Sequence, residues 1–163
     1  MTIKIGINGF GRIGRMILRS IIENERKDIE VVAINNRSNA EVSSFLLSHD
    51  TIHGPLKNKI SFSNKSISVD GKEISMVQES EIAKIDWNNF KLDVVLECTG
   101  KFNSKEKSAQ HLKAGAKKVL VSAPCKGVDN VVFGVNHMNI GPKDQIISAA
   151  SCTTNCLAPV AHV

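Results

Sequence analysis

Ile3-Lys4-Ile5-Gly6-Ile7-Asn8-Gly9-Phe10-Gly11-Arg12-Ile13-Gly14 is the stretch on which the reading of this chain turns. Residues 3–8 alternate enough to form a buried strand, and three glycines in G-x-G-x-x-G spacing follow at once. Apolar residues then recur at Ile13, Met16, Ile17 and Ile21, broken only by Ser20, with Leu18 and Ile22 widening the stripe. That is the period of an amphipathic helix. A second strand over Ile29–Asn35 completes a strand–helix–strand unit of the expected length. The spacing alone is weak, but between a strand and a helix each glycine has a task. One makes the tight turn, one lets the backbone approach a pyrophosphate, and one lets helix and strand pack closely. The phosphates of a dinucleotide would rest on the helix N-terminus.

The end of the second strand is the next checkpoint, because an acid there hydrogen-bonds the adenosine ribose of NAD. This chain has Asn35-Asn36-Arg37-Ser38, with no carboxylate until Glu41. An acid would repel a 2′-phosphate, whereas Asn36 does not, and Arg37 or Ser38 can contact it. Two readings stay open: NADP is accepted through Arg37, or Asn36 holds the NAD ribose while Arg37 lies in solvent.

Ser38-Asn39-Ala40-Glu41 has capping-box spacing and predicts a short helix through Leu46 and Leu47. Ile67 and Val69, then Asp70-Gly71, then Ile74 and Met76 predict a tight hairpin. Asp93–Cys98 is a mostly apolar run, as in a parallel strand covered on both faces. Asn103-Ser104-Lys105-Glu106 can cap a helix that Gly115 stops, and Lys118–Ser122 is the next strand. Val131–Val135 and Ile146–Ser148 are the last strand candidates, joined by a Gly141-Pro142 turn. The pattern predicts an α/β fold of Rossmann type, doubly wound and mostly parallel, with an antiparallel hairpin excursion. Residues 1–150 would form the dinucleotide-binding domain and 151–163 the start of a second. Ligands of such sheets bind beyond the carboxyl ends of the strands, so Asn8, Asn36, Thr99 and Ser122 should line one cleft.

Ser151-Cys152-Thr153-Thr154-Asn155-Cys156 puts a cysteine where a strand turns into a helix. Its sulfur would lie near unpaired N–H groups and the positive end of the helix dipole, surroundings that make cysteine a nucleophile. Packing is the competing role for any single cysteine. The short hydroxyl and amide side chains around it suit a small polar substrate better than a core. Cys156, one turn on, is expected to pack inward. A disulfide between the two would distort the helix, and two cysteines alone make a poor zinc site. His137 is the candidate partner for the thiol within this chain, although a loop histidine before a turn is commonly just exposed. His49, His53, His111 and His162 show no ligand spacing, so no metal is expected.

With 163 residues the chain can bury a substantial core, and no apolar stretch is long enough to span a bilayer. The net charge of +5 raises the question of nucleic acid, but the lysines are scattered without aromatic interleaving, which reads as a solvated surface. Met1-Thr2-Ile3 opens directly into the strand pattern, so neither a leader nor a transit sequence is expected. The four cysteines are not spaced as a disulfide framework. A cytoplasmic location follows as the expectation.

Taken together, these residues resemble phosphorylating glyceraldehyde-3-phosphate dehydrogenases. The matches are Ile5–Arg15, Asp50-Thr51-Ile52-His53-Gly54, Glu97-Cys98-Thr99-Gly100, Ser122-Ala123-Pro124, Gly134-Val135-Asn136-His137 and Ser151–Pro159, in family order. The resemblance implies that Cys152 attacks an aldehyde, that hydride passes to a nicotinamide, and that inorganic phosphate cleaves the resulting thioester. It implies glyceraldehyde 3-phosphate as substrate in glycolysis or gluconeogenesis, and a homotetramer. It also implies dinucleotide contacts from Asn8, Gly9, Phe10, Gly11, Arg12, Ile13, Gly14, Asn36, Arg37, Ser80, Thr99, Gly100 and Ser122. Ser151 and Thr153 would touch substrate or phosphate beside Cys152. Asn36 stands where the family usually has Asp, which leaves NAD or NADP open. The family is about twice as long and takes its general-base histidine from the second half, so these residues alone should be nearly inactive. Erythrose-4-phosphate dehydrogenase and a non-catalytic nucleotide-binding module are the alternatives.

Overall fold

The computed structural model describes residues 2–163. Strand β1 (Ile3–Asn8) runs into the glycine turn and helix α1 (Arg12–Glu23), and β2 (Ile29–Asn35) leads to α2 (Ala40–Ser48). β3 (Ile60–Ser63), β4 (Ser66–Val69) and β5 (Lys72–Val77) follow, then β6 (Val94–Glu97), α3 (Lys105–Lys113), β7 (Lys118–Val121), β8 (Ile146–Ser148) and α4 (Cys152–His162). They form one eight-stranded sheet in the order β3-β4-β5-β2-β1-β6-β7-β8. Every neighbouring pair is parallel except β3–β4 and β4–β5. The strand order therefore reverses between β1 and β6, and the crevice at that switch point is where a Rossmann-type sheet takes its ligand.

The antiparallel part is the hairpin expected from Asp70-Gly71, whose φ values of 50° and 82° give the doubly left-handed turn that matches strand twist. It is extended at the edge by β3, which the sequence reading missed. Ile60-Ser-Phe-Ser63 alternates, but Ile60 is only half-buried and the other three residues are exposed, so its apolar signal is weak. Val131–Val135 is not a strand. Gly134 sits at φ 85°, and Asn136 Oδ1 accepts from Val132 N–H at 2.7 Å, winding the segment into a turn. Only Asn130 bridges to Ser148 of β8. Helix α2 is capped by Asn39, which accepts from Val42 N–H at 2.9 Å, one residue later than the capping box at Ser38 placed it. Ser104, within the expected Asn103–Glu106 stretch but one residue after its first position, caps α3, and Gly115 at φ 103° follows its end.

Alternate residues of the central strands feed two cores, one on each face of the sheet. Ile5, Ile7, Ile34 and Leu96 meet Leu18 of α1 and Leu47 of α2, with Ile17, Ile21 and Ile22 packed against them. Val95, Val119, Val121 and Ala33 meet Trp87, Leu92 and Ile85, with Leu112 of α3 beside them. Phe10 is buried in the first core and Trp87 in the second; each such side chain contributes about 1.5–3 kcal/mol by leaving water. Ile13 departs from the expected stripe: it is half exposed, at the cleft end of α1.

The two inner glycines of the turn carry opposite constraints. A carbon added at Gly14 would fall far inside van der Waals contact of the Gly9 carbonyl oxygen, whereas one added at Gly11 meets nothing within 4 Å. Gly14→Ala should therefore lower the unfolding free energy by about 1–3 kcal/mol, the usual cost of overpacking. Gly11→Ala should change it by less than about 1 kcal/mol. Denaturant titration of the pair checks this, and equal losses would contradict it.

Candidate functional site

The glycine turn lays out the cleft. Gly9, at φ 94°, donates its N–H to Asn35 O at 2.8 Å, and a Cβ there would sit 2.7 Å from Thr99 Cγ2. Gly11 begins α1 with no side-chain cap, and no acid stands in the first turn. The first amides of α1 thus have no side-chain acceptor, and the open space at Gly11 lets a ligand come close. Arg12 and Ile13 are exposed at the same helix end. Arg12 lies 3.6 Å from Asp50, whose carboxyl is held below its usual range, chiefly by the N–H groups of His53 and Ile52. Burial and the neighbouring Arg12 lower Arg15, whose Nη1 donates to Phe10 O at 3.3 Å. Phe10 itself offers the cleft only backbone, since its ring is in the core.

Asn36 closes the side of the turn toward β2. Its Oδ1 accepts from Phe10 N–H at 3.4 Å and its Nδ2 donates to Ser43 Oγ at 3.3 Å, so the amide ties the glycine turn to α2. Arg37 and Ser38 are exposed beside it. Ser80, Thr99, Gly100 and Ser122 follow the ends of β5, β6 and β7, and all four are at least partly exposed. A groove of about 670 Å³ lies elsewhere, at the starting ends of β1 and β2 among Ile22, Arg26, Val31, Asp70 and Ile74. The strand tips converge at the other end.

Asn8 does not open into the cleft as expected. It is buried, and its Nδ2 donates to Glu97 Oε2 at 2.6 Å while its Oδ1 accepts from Asn35 Nδ2 at 2.7 Å. Glu97, at the tip of β6, is also buried; His111 Nε2 lies 2.9 Å from Oε2, and Oε1 takes both the N–H and the hydroxyl of Thr99. Trp87 Nε1 donates to His111 Nδ1 at 3.1 Å. An indole N–H can only donate, so Nδ1 accepts and Nε2–H faces the carboxylate. Glu97, His111, Trp87 and Asn35 escaped the search for site residues. The available signal was an acid closing an apolar parallel strand, which has to be partnered once buried.

Cys152 is the first residue of α4, exposed, with Ser151 as the cap accepting from Thr154 N–H at 3.0 Å. Ala150, at φ 59°, makes the sharp turn before it. Asn155 holds that turn by donating to Ala149 O at 2.7 Å and Ser151 O at 2.9 Å. Cys156 is exposed, contrary to expectation, because no residue of α4 is buried among the described residues. His137 is spent on its own turn: Nδ1 accepts from Gly134 N–H at 3.0 Å, and the ring lies against Phe133 with centroids 4.4 Å apart. Among the described residues no histidine hydrogen-bonds Cys152.

Residues 3–105 match the family described as glyceraldehyde 3-phosphate dehydrogenase, NAD binding domain. The chain belongs to that family. It is 49% identical over its whole length to a glyceraldehyde-3-phosphate dehydrogenase of Cereibacter sphaeroides, covering 49% of that protein. It is 47% identical to the Geobacillus stearothermophilus protein of that name, with all of this chain and 49% of the relative aligned. The Thermotoga maritima protein is 45% identical, with 98% and 48% covered. The chain spans about half the length of the curated relatives it matches.

Within this member of the family the thiols divide sharply by surroundings. Burial pushes Cys98 up to about 11, against the smaller effect of a hydrogen bond from Ser122, and burial also raises Cys125. At about pH 7.5 iodoacetamide should label Cys152 and Cys156 in the folded chain, while Cys98 and Cys125 react only after denaturation; peptide mapping reads the order. The folded chain holds the Cys98 proton more tightly than the unfolded one, whose thiol has the ordinary value of 9.0. That contribution to stability is full below about pH 9 and is lost as pH climbs toward 11.

Proposed function

We propose that this chain serves the NAD(P)-dependent oxidative phosphorylation of D-glyceraldehyde 3-phosphate to 1,3-bisphosphoglycerate, with Cys152 as the covalent catalyst. The observation that carries the reading is the pairing of an uncapped, glycine-opened helix start at Gly11 with an exposed cysteine at the head of α4, in one family member. The residues present fit a dinucleotide: Gly9 and Gly14 permit the tight turn, Gly11 leaves space, and the first amides of α1 are free of side-chain acceptors. A nicotinamide dinucleotide, when bound, supplies the hydride acceptor. Gly9, Gly11, Arg12 and Ile13 would hold its pyrophosphate end, and Gly100, Ser122 and the carbonyl of Thr99, whose N–H and hydroxyl are spent on Glu97, the side toward β6 and β7.

Cys152 Sγ adds to the aldehyde carbon, and the carbonyl oxygen takes up the charge as an alkoxide. Loss of hydride from that carbon leaves a thioester on Sγ, which inorganic phosphate cleaves to release the acyl phosphate and restore the thiolate. Ser151 and Thr153, whose hydroxyl oxygens lie 2.9 Å apart, would steady substrate or phosphate beside the sulfur. On the family resemblance, the proton acceptor for Cys152 is a histidine of the second half of the full-length enzyme. In this reading residues 151–163 open a second, catalytic domain, and the enzyme works as a cytoplasmic homotetramer, both on the strength of the family resemblance.

The neutral Asn36, with Arg37 and Ser38 exposed beside it, supports acceptance of NADP as well as NAD. Cys152→Ser in the complete enzyme should abolish acyl-phosphate formation while dinucleotide binding by calorimetry stays within about threefold of wild type. Full activity in that variant would sink the nucleophile assignment. Asn36→Asp should shift the ratio of kcat/KM values toward NAD by at least about tenfold, because a carboxylate meets the 2′-phosphate. An unchanged ratio would show that position 36 does not read the ribose.

A further inference from the structure

The most elaborate polar construction in the molecule is buried, and the chemistry proposed above makes no use of it. Glu97 is 1% exposed and His111 is fully buried, yet neither touches the cleft. A carboxylate in that position is costly unless every lone pair has a donor. Glu97 has four: Asn8 Nδ2, His111 Nε2, Thr99 N and Thr99 Oγ1. Replacing such a buried pair by packed apolar side chains of similar volume is often neutral or stabilising. The arrangement therefore calls for a reason beyond stability, and its geometry supplies one.

The bonds leaving Glu97 run to each wall of the cleft. Through Oε1 it fixes Thr99, the residue against which Gly9 packs too closely for a Cβ. Through Oε2 it fixes Asn8, whose Oδ1 holds the Asn35 amide. Asn35 in turn donates to Glu79 O at 2.9 Å and accepts from Glu79 N–H at 2.9 Å, which sets the backbone immediately before Ser80. One carboxylate thus joins the tips of β6, β1 and β2 and the segment after β5. From behind, the Trp87 indole fixes the tautomer of His111, so that its Nε2–H can only face Glu97.

We propose that Glu97, braced by His111 and Trp87, is a positioning residue for dinucleotide binding, acting through Thr99, Asn8 and Asn35 to hold the walls of the cleft at the separation the cofactor needs. The inference rests on the dinucleotide reading above. It assigns to Glu97 no contact with the cofactor; what it sets is the shape of the empty cleft, so that binding does not have to order it.

The test uses the full-length enzyme with NAD and NADP as probes. Glu97→Gln keeps the shape but turns one oxygen into a donor, which must oppose either the Thr99 pair or the Asn8 and His111 pair. Dinucleotide Kd and KM should rise about tenfold or more, with kcat at saturation falling by less than about threefold. Thr99→Val, which removes the hydroxyl donor, should weaken dinucleotide binding similarly, whereas Thr99→Ser should stay within about threefold of wild type. In the double variant Glu97→Gln, Thr99→Val the two losses should be clearly less than additive, as for groups acting through one another. A lowered Tm with unchanged Kd would make the network merely structural and overturn the proposal, as would strictly additive losses. If Glu97→Gln does not fold, the Thr99 pair decides: equal binding by Val and Ser variants overturns it. Wild-type enzyme that binds neither dinucleotide would overturn the dinucleotide reading itself, a result distinct from the others.

Discussion

The seat of α1 on the end of β1 leaves no room for a single carbon at position 14, and the rest of the molecule is arranged around that contact. With the Gly9 carbonyl in the space a side chain would need, the helix can start directly above the strand tip. Its unpaired amides then face outward at the switch point. Everything else at this end of the sheet respects that position. Phe10 folds back into the core to anchor the turn, Asn36 reaches across from β2 to tie it, and Thr99 presses on Gly9 from β6. The turn is held on three sides by short-range interactions, which is how a backbone surface stays open toward a ligand without collapsing.

The polar groups divide the same way between holding and offering. Asn8, Asn35, Glu97 and His111 are buried and fully engaged with one another, whereas Arg12, Arg37, Ser80 and Gly100 stand exposed around the rim. The cysteines follow suit. Cys98 and Cys125 sit in surroundings that disfavour a thiolate, while Cys152 and Cys156 lie on the surface of α4. The four thiols thus divide by burial.

What could be read from the sequence was what local chemistry determines. Gly9, Gly11 and Gly14 announce themselves because each answers a different steric demand within six residues. Asp70-Gly71 does so because only such a pair accepts two left-handed conformations in a row. Val131–Val135 misled because β-branched residues suit strands, and the bonds from Asn136 that curl the segment are made by a side chain outside the apolar run. Asn8 looked like a ligand contact from its place at a strand end, but which way its amide faces depends on Glu97, 89 residues away. His111 showed no ligand spacing and so was passed over; its role comes from Trp87 and Glu97, which only the packing of α3 brings to it. Cys156 was expected inside because helices usually have a buried face, and α4 has none among the described residues.

That bare helix has a consequence for how the chain moves. A segment with Leu157 and Val160 in water, and with Pro159 unable to donate to the carbonyl one turn back, has little to resist fraying except its cap at Ser151 and the Asn155 bonds. Its amides would open and exchange with solvent far sooner than those of β1 or β6, which are sealed between two cores. Cys152 is thus carried on a helix with no buried residue among those described, whereas the glycine turn sits on strands sealed between two cores. The glycine turn and the start of α4 would therefore differ in local stability, and whatever packs onto α4 sets how long Cys152 keeps a fixed place.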